Sequence, residues 1–347
     1  MKSQTNISRS PFVFAKLTPL KPSIVYDTYW KFAAERQEVF FRRLHDKIPP
    51  WSADQVIGRY KFTNCYRAAD RVSQYLIRHV IYKGSQDPDE VFFRIMLFKL
   101  FNKIETWEML KAILGEICYE GFSYKEYDRI LSSALRKGVA IYSAAYLMAS
   151  GSRVFQVAHK HQAHLRLLVM MMKDKVALAV QEKTSLLQVF EHLRSYPLIG
   201  DFLAYQYAID LNYSNLIDFS EMSFVMPGPG ARDGITKCFV SLGGLNEADV
   251  IKIVTDRQNV EFERLGISFK SLWGRPLQLI DCQNLFCEVD KYSRIAHPEI
   301  QGISGRSRIK QLFRPKSNQI DYWFPPKWKI NTLMNGDLSS SNVKIAV

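Results

Sequence analysis

The stretch Leu193-Arg194-Ser195-Tyr196-Pro197-Leu198-Ile199-Gly200-Asp201-Phe202-Leu203-Ala204 decides the fold. Pro197 cannot continue a helix, Gly200 supplies a turn, and Phe202 to Leu211 resumes an apolar, helix-like pattern. The spacing predicts a helix end, a tight turn and a helix start. The first amides of the second helix lack carbonyl partners, carry the positive end of the helix dipole and suit a phosphate. Ile199, Gly200, Asp201 and Phe202 are therefore candidate DNA contacts. Any corner between two helices reads in a similar way, so the turn alone leaves a plain structural corner open.

The chain has 347 residues, enough for one large or two ordinary domains with a sizeable core. Its 47 Lys and Arg against 34 Asp and Glu give a net charge of +13, an excess that favours a polyanion as partner. No apolar run approaches the roughly 20 residues of a membrane span, and MKSQTNISRSPF has no signal-peptide core, so a cytoplasmic protein without a membrane partner is expected. Cys65, Cys118, Cys238, Cys282 and Cys287 are scattered, with no CxxC pair. A disulfide scaffold, a structural zinc site and a four-cysteine iron–sulfur cluster are disfavoured. His159, His161 and His164 lack the acidic or cysteine spacing that would complete a metal site. No metal and no cofactor are expected.

Residues 1–22 read as an irregular basic segment, 23–326 as a helical domain of two lobes with a cleft between them, and 327–347 as a disordered tail. A helix is predicted from Ser23 to Lys47, stopped by Pro49-Pro50. Helices follow at 87–101, after the capping box Ser123-Tyr-Lys-Glu126, at 157–181, and at 246–258. The one short strand region is expected near 267–281, with 277–280 strand-like. In the second half of Gly58 to Ile77, a helix would place Arg67, Asp70, Arg71 and Gln74 on one polar face. Beside Asn64, Tyr60, Phe62 and Tyr75, that face suits a pocket for a base and a sugar, although a solvated, salt-bridged face looks much the same. Pro227-Gly-Pro-Gly230 is a rigid loop feeding a helix, and its glycines let backbone approach a ligand. Gly228, Gly230 and Arg232 join the candidate DNA contacts. No GxxxxGK[ST] phosphate loop occurs in the chain.

Three segments taken together carry a resemblance. They are Arg59-Tyr-Lys-Phe-Thr-Asn-Cys-Tyr-Arg-Ala-Ala-Asp-Arg-Val-Ser-Gln-Tyr-Leu76, Pro227-Gly-Pro-Gly-Ala231 and Asp281-Cys-Gln-Asn-Leu-Phe-Cys-Glu-Val-Asp-Lys-Tyr292. They resemble the α-glutamyl/putrescinyl thymine pyrophosphorylase family and its relative, the helical domain of 5-hydroxymethyl-deoxyuridine DNA kinase, over about residues 25 to 326. The resemblance implies a mainly α fold of the helix-hairpin-helix DNA glycosylase type with a small strand insertion. In the hairpin, Pro197, Ile199, Gly200 and Ala204 match that pattern, while Leu198 departs from its usual glycine. The resemblance also implies a monofunctional DNA glycosylase. It would excise a hypermodified pyrimidine, α-glucosylated hydroxymethylcytosine in the nearest case, from double-stranded phage DNA in antiphage defence. It implies no obligate protein partner.

Cleaving an N-glycosidic bond builds positive charge on the sugar, which a carboxylate beneath it stabilises. In the resembled glycosylases that carboxylate lies about twenty residues after the hairpin's last glycine. Counting from Gly200, Asp218 lies 18 residues on and Glu221 lies 21 on (218 − 200 and 221 − 200), so both are candidates. Phe202 stands where bifunctional enzymes have their Schiff-base lysine. Asp281 and Glu288 form a second candidate pair, whose plainer roles are a helix cap and a salt bridge to Lys291. Lys291 is placed with the base and sugar pocket. Two other function classes stay open: a modified-thymine pyrophosphorylase or transferase of DNA hypermodification, and a modified-DNA-binding module without catalysis.

Overall fold

The structure, a computed structural model, describes residues 17–45, 48–146, 148–315 and 320–343. The expectation for residues 1–16 lies outside them. The fold is mainly α with a small strand insertion. Helix α1 (Ile24–His45) buries Val25, Tyr29, Trp30, Ala33, Phe40 and Phe41, the stripe its three- and four-residue apolar spacing requires. Short α2 (Gln55–Arg59) starts where the Asp54 carboxylate accepts the amides of Val56 and Ile57 at 2.8 and 2.9 Å. A 3-10 turn (Arg67–Ala69), α3 (Arg71–Tyr75) and a π-helical turn (Leu76–Ile81) follow in close succession. Helix α4 (Pro88–Phe101), with proline in its first turn and the Asp87 cap, is buried from Val91 to Phe101.

Next come α5 (Ile104–Leu114), α6 (Tyr124–Arg136), α7 (Lys160–Lys173), α8 (Val176–Gln181), α9 (Leu186–Arg194) and α10 (Asp201–Asn212). Helices α11 (Pro229–Cys238), α12 (Glu247–Asp256), α13 (Gln258–Arg264), α14 (Leu279–Ala296) and α15 (Asn331–Val343) complete the order. Strand β1 (Lys21–Pro22) pairs antiparallel with β2 (Phe239–Ser241), which continues α11.

Two helices organise the core. Helix α14 packs on α1, α2, α11, α12 and the 3-10 turn, while α4 packs on α5, α7, α8, α10 and the π-helical turn. Helix α11 packs closely along α14. A methyl group at Gly234 would strike the Phe286 carbonyl, and one at Gly230 would strike the Cys287 sulfur.

The predicted corner at 193–204 is present as α9, a turn and α10, closed by an Arg194–Asp201 ion pair. Leu198, at the position where glycine is usual, has φ 69° and lies against Gly151. It takes up the left-handed geometry that glycine adopts freely.

Other expectations are corrected. The stretch 277–280 is no strand: Gln278 caps α14, which begins at Leu279, and the strand pairing is instead 21–22 with 239–241. The single helix expected at 157–181 is broken between α7 and α8, where Lys175 has φ 53°. Residues 331–343 form α15 rather than an irregular tail. Met334 is buried against the core, and the Trp273 indole donates to Asp337 at 3.2 Å, so local contacts hold the helix in place. The last two residues of the predicted first helix, 46–47, lie outside the described residues, as do 344–347 of the tail.

Candidate functional site

The site is built around Arg67, in the 3-10 turn between the two packed groups of helices. Its backbone amide donates to Asp281 Oδ1 on α14 at 2.8 Å. Its guanidinium reaches the other way, to α10: Nη1 lies 2.8 Å from Asp210 Oδ1, and Nε donates to Gln206 Oε1 at 2.8 Å. Lys99 from α4 approaches the other Asp210 oxygen at 3.1 Å. Arg67, Lys99 and Asp210 are all buried. Burial alone would raise the Asp210 pKa, but the two cations hold it below the ordinary carboxylate value.

Three acids besides Asp210 belong to this seam. Asp281 also accepts the Gln278 amide at 3.0 Å. Burial, reinforced by the charge of Glu221, pushes its pKa up to about 7 despite those hydrogen bonds. Asp70, directly after the 3-10 turn, accepts the Asn64 amide at 2.8 Å, and burial beside Glu288 also pushes it up to about 7. Glu221 is 4 % exposed and pairs with Arg275 Nη2 at 3.2 Å; burial raises its pKa. The Arg275 guanidinium in turn lies 3.8 Å from the centre of the Trp328 ring.

Of the proposed catalytic acids, Asp281 and Glu221 are therefore neighbours, while Asp70, expected in the pocket, follows the same turn on the side of Glu288. Asp218 stands apart: its side chain is 80 % exposed and pairs with Lys327 at 3.3 Å. Glu288 accepts the Thr63 amide at 3.0 Å and pairs with Lys291 at 2.7 Å, the plainer of its two expected roles. Asn64 is held by Arg36 at 3.1 Å and donates to the Ala69 carbonyl.

The single polar face expected of residues 67–74 does not form. The 3-10 turn and the Asp70 boundary change the rotation per residue, so Arg67 enters the core while Arg71 is exposed and pairs with Glu105 at 3.5 Å. Gln74 is buried, donates to the Ala68 carbonyl and accepts the Trp323 amide. The aromatic residues expected as a clamp are dispersed. Tyr60 bridges to Leu312, Phe62 packs on Phe32 and Tyr292, and Tyr75 stacks on Phe98 with its hydroxyl donating to Glu108.

Of the expected DNA contacts, Asp201, Phe202 and Arg232 line a groove of about 440 Å³, together with Asp233, Glu247 and Arg306. The starts of α10 and α11 both border this groove. Gly200 is exposed and Ile199 is buried beneath the turn. Gly228 and Gly230 serve packing between protein groups: a methyl at Gly228 would lie 2.8 Å from the Phe202 ring, and Gly230 faces Cys287. The histidines are absorbed locally, His161 by Asp128 at 2.7 Å and His164 by Tyr142 at 2.9 Å.

Sequence reasoning missed Asp210, Lys99, Arg275 and Tyr146. A signal for the first two exists: each is a lone charge inside an apolar helical run, which is rare unless the charge is paired. Tyr146 lies in a loop, with its ring parallel to Phe202 (6° between planes, centroids 5.6 Å apart) and 4.7 Å from the Lys99 ammonium. Its position is legible only in three dimensions.

Comparison with known proteins gives the family. The model described as "5-hmdU DNA kinase, helical domain" matches residues 23–302, and the chain belongs to that family. The curated 5-hmdU DNA kinase of Bacillus phage SP10 is 27% identical over 286 residues, covering 77% of this chain and 45% of that protein. The chain thus spans a little under half the length of this relative. No solved structure matches. These findings correct the expectation of a monofunctional glycosylase, and with it the assignment as a hydrolase. The matched relative is named for a kinase, a transferase activity, and neither match carries base excision. No described helix is long and apolar enough to cross a membrane.

Proposed function

We propose that this chain takes a 5-hydroxymethyl-type pyrimidine of DNA as its substrate and serves a group transfer at the 5-substituent. Family membership and the relative's name support the substrate class. Because the chain corresponds to under half of that relative, the whole enzyme's activity is part of the proposal. The net charge of +13 suits a DNA partner.

The observation that carries the reading is the placement of two carboxyl groups at the Arg67 turn: Asp281 accepts the Arg67 amide at 2.8 Å, and Asp70, directly after the turn, accepts the Asn64 amide at 2.8 Å; burial pushes both pKa values up to about 7. Transfer to a hydroxymethyl group requires its O–H proton to leave as the oxygen attacks the incoming phosphorus. The proton passes to a carboxylate, the oxygen–phosphorus bond forms, and the bond to the donor nucleotide breaks with its electron pair. A base with a pKa near the working pH is largely available and still strong enough to help. Asp281 is our choice for that base, with Asp70 next. Glu221 acts on Asp281 through its charge. Arg275, paired with Glu221, supplies positive charge close to the developing anion. Asp218 stays at the rim. Arg232 and the start of α10 meet DNA phosphates.

The test uses duplexes with a single 5-hydroxymethyluracil or thymine. Anisotropy should show tighter binding to the modified duplex. After incubation with ATP, nucleoside mass spectrometry should show a phosphorylated hydroxymethyl group. Asp281→Asn should keep binding and lose transfer by about 100-fold or more, within the roughly 10²–10⁴ range of general-base contributions. Equal affinity for both duplexes would sink the reading. Preferential binding with no transfer would leave a recognition module, the second reading, which the short coverage of the relative favours.

A further inference from the structure

Tyr146 stands between the groove and the buried seam. One face of its ring lies flat on Phe202, which lines the groove. The Lys99 ammonium lies 4.7 Å from the ring centre, and the charges of Arg67, Asp70 and Asp210 act on the tyrosine hydroxyl. The residue has φ 57°, in the left-handed region that a tyrosine adopts only under constraint. A six-membered aromatic ring, stacked on a phenyl group and presenting an oxygen to an arginine, has the shape and polarity of a pyrimidine carrying a carbonyl.

We infer that Tyr146 is a place-holder for an extrahelical pyrimidine: the base displaces it, stacks on Phe202 and presents a ring carbonyl to Arg67. The inference rests on the reading that the chain takes modified pyrimidines in DNA. Release of the loop relieves the left-handed backbone, which offsets part of the lost tyrosine stacking. The base regains that stacking on Phe202, since every base offers an aromatic face. The Arg67 guanidinium keeps its ion pair with Asp210 throughout and exchanges only the tyrosine oxygen for the base oxygen. The charge balance of the core is therefore unchanged. Among the described aromatic residues, the 60–75 set lacks such an arrangement, because Tyr60, Phe62 and Tyr75 face three different neighbourhoods.

The test compares three full-length variants on the same modified and plain duplexes. Tyr146→Ala empties the slot and should bind the 5-hydroxymethyluracil duplex at least threefold tighter than wild type, with plain-duplex affinity unchanged. Tyr146→Phe retains the stack and should stay within twofold of wild type. Phe202→Ala removes the platform and should lose most of the preference for the modified duplex. A 2-aminopurine paired with the target base should brighten on binding, as its partner leaves the helix. If Tyr146→Ala binds the modified duplex equally or more weakly, while Tyr146→Phe confirms a folded protein, Tyr146 is a clamp or scaffold and the inference falls. If wild type itself fails to prefer the modified duplex, the underlying functional reading falls first, and the two failures are told apart by that wild-type comparison.

Discussion

Asp210 is the residue on which most of the buried charge depends. Its contacts with Arg67 and Lys99 are ion pairs at 2.8 and 3.1 Å inside the core. Removing one member of a buried pair costs more than the pair contributes, because the remaining charge keeps its desolvation penalty. Here two cations would be orphaned. Asp210→Ala is expected to destabilise the protein by about 3–5 kcal/mol, read from urea denaturation. A change below about 1 kcal/mol would mean that water reaches Arg67 and Lys99. Asp281 makes a prediction of opposite character. Its folded pKa, about 7, lies above its ordinary value of 3.8, so the native state binds the proton more tightly than the unfolded chain. Its contribution to stability is complete below the ordinary value and is lost as pH rises through about 7. Wild-type stability should therefore fall relative to Asp281→Asn between about pH 4 and pH 7. A difference that stays constant, or grows with pH, would show that Asp281 ionises freely in the fold.

At the scale of elements, the contact between α11 and α14 is set by glycine. Gly234 brings α11 onto the Phe286 carbonyl, and no side chain can move aside to make room. Gly234→Ala should cost about 3 kcal/mol, at the upper end of overpacking effects, because two helices must separate. Gly58, inside α2, has open space around it. Gly58→Ala should gain up to about 1 kcal/mol from helix propensity alone. Thermal melts of the two variants check both signs, and similar melts would contradict the close approach. The seam acid Asp281 sits on α14, so the first variant should also weaken binding of modified DNA.

For the whole molecule, the net charge is +13; at the groove by the starts of α10 and α11, Arg232 and Arg306 stand among Asp201, Asp233 and Glu247, so most of the excess lies on the surface outside it. Each phosphate gripped by a cation releases counterions, so log affinity should fall linearly with log salt. Contacts with about four or more phosphates predict roughly a 100-fold loss or greater between about 50 and 200 mM salt, with similar slopes for modified and plain DNA. A flat response would place the basic surface away from DNA.

Helical periodicity, capping residues and breakers determined the all-α character, the corner at 193–204 and the approximate extents of α1, α4 and α6, because those signals act within a few residues of chain. Residue chemistry also singled out Arg67, Glu221 and Asp281, which lie together, and Asp70 directly after the Arg67 turn. Only the tertiary structure decided how they meet. Arg67 and Arg71 are four residues apart, a spacing that predicts one helical face, yet the 3-10 turn sends the first to Asp210 and leaves the second with Glu105. The pairing of residues 21–22 with 239–241, the insertion of Lys99 and Asp210 beneath Arg67, and the stacking of Tyr146 on Phe202 all join distant parts of the chain. Such contacts are chosen by which surfaces fill space and neutralise charge together once the helices pack, and no local pattern in the sequence encodes that choice.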